Sequence, residues 1–259
     1  MNTTAWHDTR RGQRRTGALI GILLACMLLG AAGPVQAEVK VIESDSTYVL
    51  GDNDSKVDAR RIATQEAKRK ALEQAGTFVA SMTQVKDYRL TKDEITSYTA
   101  AIVATDIIAD ETRGTLQNPA IYVKVKCRID SDAMIAQINR YQENEDLREQ
   151  LGASSREKAA LQQERDDLVK KLAAEKDKAR AEDTRTRLDR VLTHEESIDA
   201  TRSIWSRLSP KVDFYDGRSG RSSLSAAEME EASAILEDAV AKYPQNQQAR
   251  LLLAAVYEQ

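Results

Sequence analysis

Apolar positions recur at three different spacings along this chain, and each change of spacing marks a boundary. Gly17 to Val35 is almost continuously apolar. Val39-Lys40-Val41-Ile42 and Tyr48-Val49-Leu50 then read as two short strands around a polar turn at Glu43 to Ser46. From residue 59 the spacing becomes helical. Ala59, Ile62, Ala63, Ala67, Ala71, Ala75, Phe78 and Val79 predict a helix running to about Met82 with a stripe of small residues. Such a stripe lets the helix backbone approach a sheet closely, and Arg60, Arg61, Lys68, Arg69 and Lys70 are expected on its outer face. Thr91-Lys92-Asp93-Glu94 is a capping box opening a second helix with Ile95, Tyr98 and Ile102. Alternation returns at Val103–Glu111 and Ala120–Ile129, joined by a turn from Gly114 to Pro119.

From Met134 the chain becomes highly charged and contains no proline before Pro210. A heptad frame from Leu147 places Leu147, Leu151, Ser154, Lys158, Leu161, Arg165, Leu168, Leu172, Glu175 and Ala179 at core positions, six of the ten apolar. This predicts one long helix with a weak coiled-coil seam, interrupted at Gly152 to Ser155. A homodimer through residues 147–179 or a seam for another partner is the expected use, and a single solvated helix held by i,i+4 pairs is the alternative. Lys158 and Arg165 at core positions make any dimer a modest one.

Residues 191–208 predict a further helix, with Leu192, Ile198, Ile204, Trp205 and Leu208 as its apolar positions and Pro210 as its stop. Asp213–Ser223 is a loop, and Ser225-Ala226-Ala227-Glu228 is a second capping box whose helix runs to Lys242. Ala232, Leu236, Ala239, Val240 and Pro244, followed by Leu253, Ala254 and Tyr257, resemble the signature positions of a tetratricopeptide repeat in one register. The predicted fold class is thus α+β and multi-module. A small α/β domain (38–133) is followed by a long charged helix (134–190) and tetratricopeptide-like helices (191–259).

The apolar run near the N-terminus has the make-up of a secretory signal. Arg10, Arg11, Arg14 and Arg15 precede it, and Val35-Gln36-Ala37 offers small residues for cleavage after Ala37. The chain is therefore expected in the periplasm. Acylation of Cys26 as a lipoprotein and a retained inner-membrane anchor are the alternatives. Without the four arginines and Asp8 of this segment, the 38 basic and 41 acidic residues become 34 and 40, a net charge of −6. That acidic balance argues against nucleic acid as a partner. Cys127 is then the single cysteine, on the apolar face of its strand, and is expected to be a buried small hydrophobe.

Gly51-Asp52-Asn53-Asp54-Ser55, the helix Ala67–Gly76, Ser81-Met82-Thr83-Gln84-Val85 and Asp93-Glu94-Ile95 resemble the small α/β domain of certain bacterial outer-membrane lipoproteins. They also resemble the N-terminal domain of a flagellar basal-body assembly protein. The resemblance covers residues 38–133 and implies a scaffold or assembly role without catalytic residues. Asp52, Asp54 and Asp58 do not make an EF-hand, because Val57 and Ala63 stand where Gly and Glu are required.

No catalytic, cofactor-binding or metal-binding set is expected. Cys127 and His194, the one nucleophile–base combination, lie in different segments, and no Gly-rich phosphate loop occurs. The expected function is an exported, non-enzymatic envelope scaffold or adaptor that binds protein partners through its tetratricopeptide-like module. The surfaces expected to do this are Leu251, Leu252, Val256 and the loop around Asp216. The alternative is a peripheral cell-wall or outer-membrane component, whose basic residues such as Lys124, Lys126 and Arg128 meet an anionic polymer.

Overall fold

A three-stranded antiparallel sheet, ordered β1-β3-β2, carries a helix of small residues on one face. The computed structural model describes residues 39–85, 91–143, 145–208 and 224–257. The proposed signal segment, Cys26 and the loop around Asp216 lie outside them. Among the described residues the fold is mixed α and β, with seven helices. No helix among them is long and apolar enough to cross a membrane.

β1 (Val39–Val49) is one continuous strand and not two around a turn. It pairs along its whole length with β3 (Pro119–Asp130). Ser44 and Ser46 occupy the inward positions after Ile42, so the alternation persists through a stretch that reads as polar. β2 (Thr105–Gly114) pairs with the other edge of β3, with a register shift between Ile107 and Ala109. Gly114, at φ +88°, closes the β2–β3 turn. A Cβ there would lie 2.2 Å from the Asn118 carbonyl oxygen, so only glycine fits.

The first helix, α1 (Lys56–Val85), is capped by Ser55, whose hydroxyl accepts from the Asp58 amide. Ala59, Ala63, Ala67, Ala71, Ala75 and Val79 are fully buried against Ile121, Val123, Val125, Cys127 and Ile129 of β3. The second helix, α2 (Lys92–Ile102), begins with the expected capping box at Thr91 and Glu94. It meets α1 closely at Gly76, where a Cβ would come 3.2 Å from the Thr96 Cα.

The charged segment departs from expectation. It forms α3 (Ser131–Glu143), α4 (Glu145–Ala174) and α5 (Lys178–Leu208), with no interruption at Gly152–Ser155. The chain reverses instead at residues 175–177, so α4 and α5 pack side by side. Asp177 caps α5 by accepting from the Ala179 and Arg180 amides, at 2.9 and 3.0 Å. The other half of the reversal comes from far along the chain. The Asn53 side-chain amide donates to the Leu172 and Glu175 carbonyls at 2.9 and 2.8 Å, satisfying acceptors that the end of α4 leaves open.

Leu151, Leu168 and Leu172 of the predicted seam are buried within the same chain, Leu161 is half-buried, and Ala179 lies beyond the reversal and is exposed. Leu168 and Leu172 are buried with Leu188, Val191 and Leu192 of α5 and with Ile62 of α1. Leu151 joins the sheet-side core. The described residues thus pack as one unit in which the three compositional segments touch. After Ser225, α6 (Ala226–Lys242) and α7 (Gln247–Tyr257) fold onto the end of α5 around Ile204, Trp205, Leu236 and Leu252.

Candidate functional site

The face of α1 opposite the alanine stripe is not a solvated outer face. The α4–α5 hairpin lies over it, and the contact is built from charges. Arg165 of α4 is 1 % exposed and meets Glu195 of α5, itself 0 % exposed, at 3.2 Å. Glu66 of α1 lies 3.7 Å from the same guanidinium. Lys158 of α4 binds Asp199 of α5 and donates to the Gln65 side chain of α1 at 3.3 Å. Lys68 of α1 reaches the other Asp199 oxygen at 3.5 Å. Arg61 of α1 donates to Glu196, Asp189 and Thr193 along the outer turn of α5.

Burial works against each of these charges, and the neighbours decide the outcome. It would raise the Asp199 carboxyl, yet Lys158, Lys68 and Arg202 hold it at about 2. For Glu195 burial wins, and its carboxyl sits above the usual range despite Arg165 and Lys158. Lys158 is pushed below the ordinary lysine range by the same desolvation. Bonds of this kind fix the relative placement of three helices because a displaced partner leaves a buried charge uncompensated. Lys158 and Arg165 at seam positions, with Glu195, Asp199 and Arg202 at helical spacing on one face of α5, are the sequence signal for this seam.

A second polar junction ties α6 and α7 to α5. Asn246 is buried; its side-chain oxygen caps α7 at the Ala249 amide, 3.0 Å away. Its amide nitrogen donates to the Ser197 and Thr201 hydroxyls of α5, at 2.9 and 3.0 Å. Ser197 in turn donates to the Ala239 carbonyl. Beside it the His194 ring stacks on Tyr243 with centroids 3.7 Å apart, and His194 Nε2 lies 3.0 Å from Glu157.

The surface residues predicted at the C-terminus divide. Leu252 and Val256 are buried on α5 and α6, because α7 turns its Ala249, Leu252 and Val256 face inward. They are covered by the chain's own helices and are not bare. Leu251 is 57 % exposed and Tyr257 63 %, on the outward arc of α7.

The basic residues considered for an anionic polymer have acidic neighbours. Lys124 pairs with Glu43 at 2.6 Å, Arg128 with Asp106 at 3.9 Å and Arg60 with Asp110 at 2.8 Å. Glu43 also faces Lys126 across the β1–β3 pair. Cys127 is buried in the sheet-side core, its thiol pushed up to about 11 by burial, while His194 sits on α5 against Glu157 and Tyr243. Among the described residues no three His, Cys, Asp or Glu side chains gather as metal ligands.

Comparison with protein-family models, with curated proteins and with solved structures finds no match for this chain.

Proposed function

We propose that this protein is an exported, non-enzymatic scaffold or adaptor of the cell envelope that binds a protein partner through the outer face of its C-terminal helices. The carrying observation is the division of α7 into two faces. Its inward residues are spent on α5 and α6, while Leu251 and Tyr257 stand exposed on its outward arc. Leu253, Ala254 and Tyr257 are also the positions that, in the tetratricopeptide-like register, precede a following helix. An exposed helical arc that carries Leu251 and Tyr257 among Gln247, Arg250 and Ala254 can seat a helical segment of another protein.

Export supports the same reading. The basic, apolar and small-residue stretches of residues 10–37 have the order of a cleavable secretory signal. The resemblance of residues 38–133 to small α/β domains of envelope proteins points to the same compartment. The test is site-specific photocrosslinking in intact cells from positions 251 and 257, with position 230 on α6 as the control. A defined adduct from both 251 and 257, with the adduct from 257 lost in Leu251→Glu, supports the proposal. The same adducts from all three positions, or none, would overturn it.

A further inference from the structure

Arg202 carries a buried positive charge that the protein does not neutralise by contact. The residue is 6 % exposed, about two turns before the end of α5. Its hydrogen bonds run from Nε and Nη2 to the single hydroxyl of Ser154, at 3.3 and 3.1 Å. Among the described residues no carboxylate lies within ion-pair distance of it. Every other buried cation of the seam has one: Arg165 has Glu195 and Lys158 has Asp199. Asp199, one turn away on α5, acts on Arg202 through space, but its contacts are to Lys158 and Lys68. Asp199 and Glu157 reach this guanidinium only through space, and its one bonding partner is a neutral hydroxyl, so a negatively charged group in direct contact would stabilise it further.

The space for that partner is present. Arg202 lines a cleft of about 190 Å³ between α1, α2, α4 and α5. Ser155 and Lys158 line the same cleft. The Ser155 hydroxyl is buried and has no hydrogen-bond partner. Lys158 has three N–H donors and two partners, Asp199 and Gln65. Glu73, the carboxylate on the cleft wall, is paired with Arg69. Leu72, Ala100 and Ala159 supply an apolar side. The volume lies below the usual range for drug-sized ligands, which favours a compact group.

We propose that this cleft binds a small oxyanion, a carboxylate or phosphate group, with Arg202 as its charged anchor and Ser155 and Lys158 as further donors. Nη1 of Arg202, unused by Ser154, donates to one oxygen of the ligand. The Ser155 hydroxyl and the remaining Lys158 proton serve the others. The site lies apart from the outer face of α7 and is independent of partner binding there.

The experiment measures thermal unfolding and titration calorimetry of the full chain with phosphate, acetate and chloride at constant ionic strength. A saturable rise in Tm with phosphate or acetate, of roughly 5–10 °C at about a hundredfold excess over Kd, is expected. The anion that gives it identifies the ligand chemistry. Ser155→Ala should weaken binding about tenfold. Ala159→Glu, which puts a carboxylate at the cleft wall from a solvent-facing position, should abolish it. Arg202→Gln should do the same; if it does not fold, the other two variants decide. A rise that does not saturate, that chloride reproduces, or that survives unchanged in Ala159→Glu overturns the proposal.

Discussion

Arg165 and Glu195, thirty residues apart, meet at 3.2 Å with both side chains almost wholly removed from solvent. Their pairing joins α4 to α5 at the point where Glu66 of α1 also approaches. Removing Arg165 strands the fully buried Glu195, whereas removing Glu195 leaves the guanidinium its bonds to Asp166 at 3.0 and 3.1 Å. Arg165→Met is therefore expected to cost about 3–5 kcal/mol in urea unfolding, and Glu195→Leu less. The double variant Arg165→Met/Glu195→Leu should recover most of that loss, because an apolar pair needs no compensation. A double variant no more stable than Arg165→Met alone would mean that the charges are not coupled.

Asn246 does three things with one side chain. It caps α7 and holds that cap to Ser197 and Thr201. Asn246→Ala should cost about 2–3 kcal/mol, roughly 1 for the cap and about 0.5–1 for each of the two lost cross-helix bonds. Hydrogen exchange should quicken in α7 first, while the amides of β3 keep their protection.

His194 makes stability depend on pH. Burial lowers its pKa from 6.5; Glu157 opposes this and Lys158 adds to it, with Tyr243 stacked on the ring. The folded protein thus binds the proton less readily than the unfolded chain. The ring imposes no penalty above pH 6.5. As the pH falls below 6.5 the unfolded state is favoured, until the folded imidazole also protonates. The urea midpoint of the wild type should fall more between pH 7 and pH 5.5 than that of His194→Gln. Equal slopes would rule the histidine out as the source.

Leu168 and Leu172 were natural candidates for a seam between two copies, and they are buried against α5 of their own chain. Leu168→Ala should then destabilise by about 2–5 kcal/mol with a midpoint independent of protein concentration. A midpoint that rises with concentration would show that the seam is shared between chains.

Export makes a simple prediction. Protein purified from the periplasm of expressing cells should begin at Glu38 on N-terminal sequencing, and Ala37→Arg should leave the longer form. A lipid-modified cysteine at the N-terminus, or an intact Met1 in the membrane fraction, would refute cleavage after Ala37.

Local features were legible wherever a residue's neighbours in sequence decide its state. The alanine stripe of α1, both capping boxes, the Gly114 turn and the buried face of β3 could all be read from spacing. The polar stretch within β1 could not, because Ser44 and Ser46 become inward positions only when α1 covers them. Which arc of α7 faces inward was equally hidden, since Leu251 and Leu252 are alike in composition and differ only in what lies beside them.

The sequence by itself determined the alanine stripe of α1, both capping boxes and the alternating face of β3, because period and capping are local properties. Only the tertiary structure decided where those faces go. In a chain with 31 % charged residues, many acid–base pairings are nearly equal on paper. Asn53 holding the end of α4 at Leu172 and Glu175 brings the hairpin back over α1. Desolvation then makes a few of those pairings, Arg165 with Glu195 and Lys158 with Asp199, obligatory. It leaves Arg202 without a carboxylate in contact.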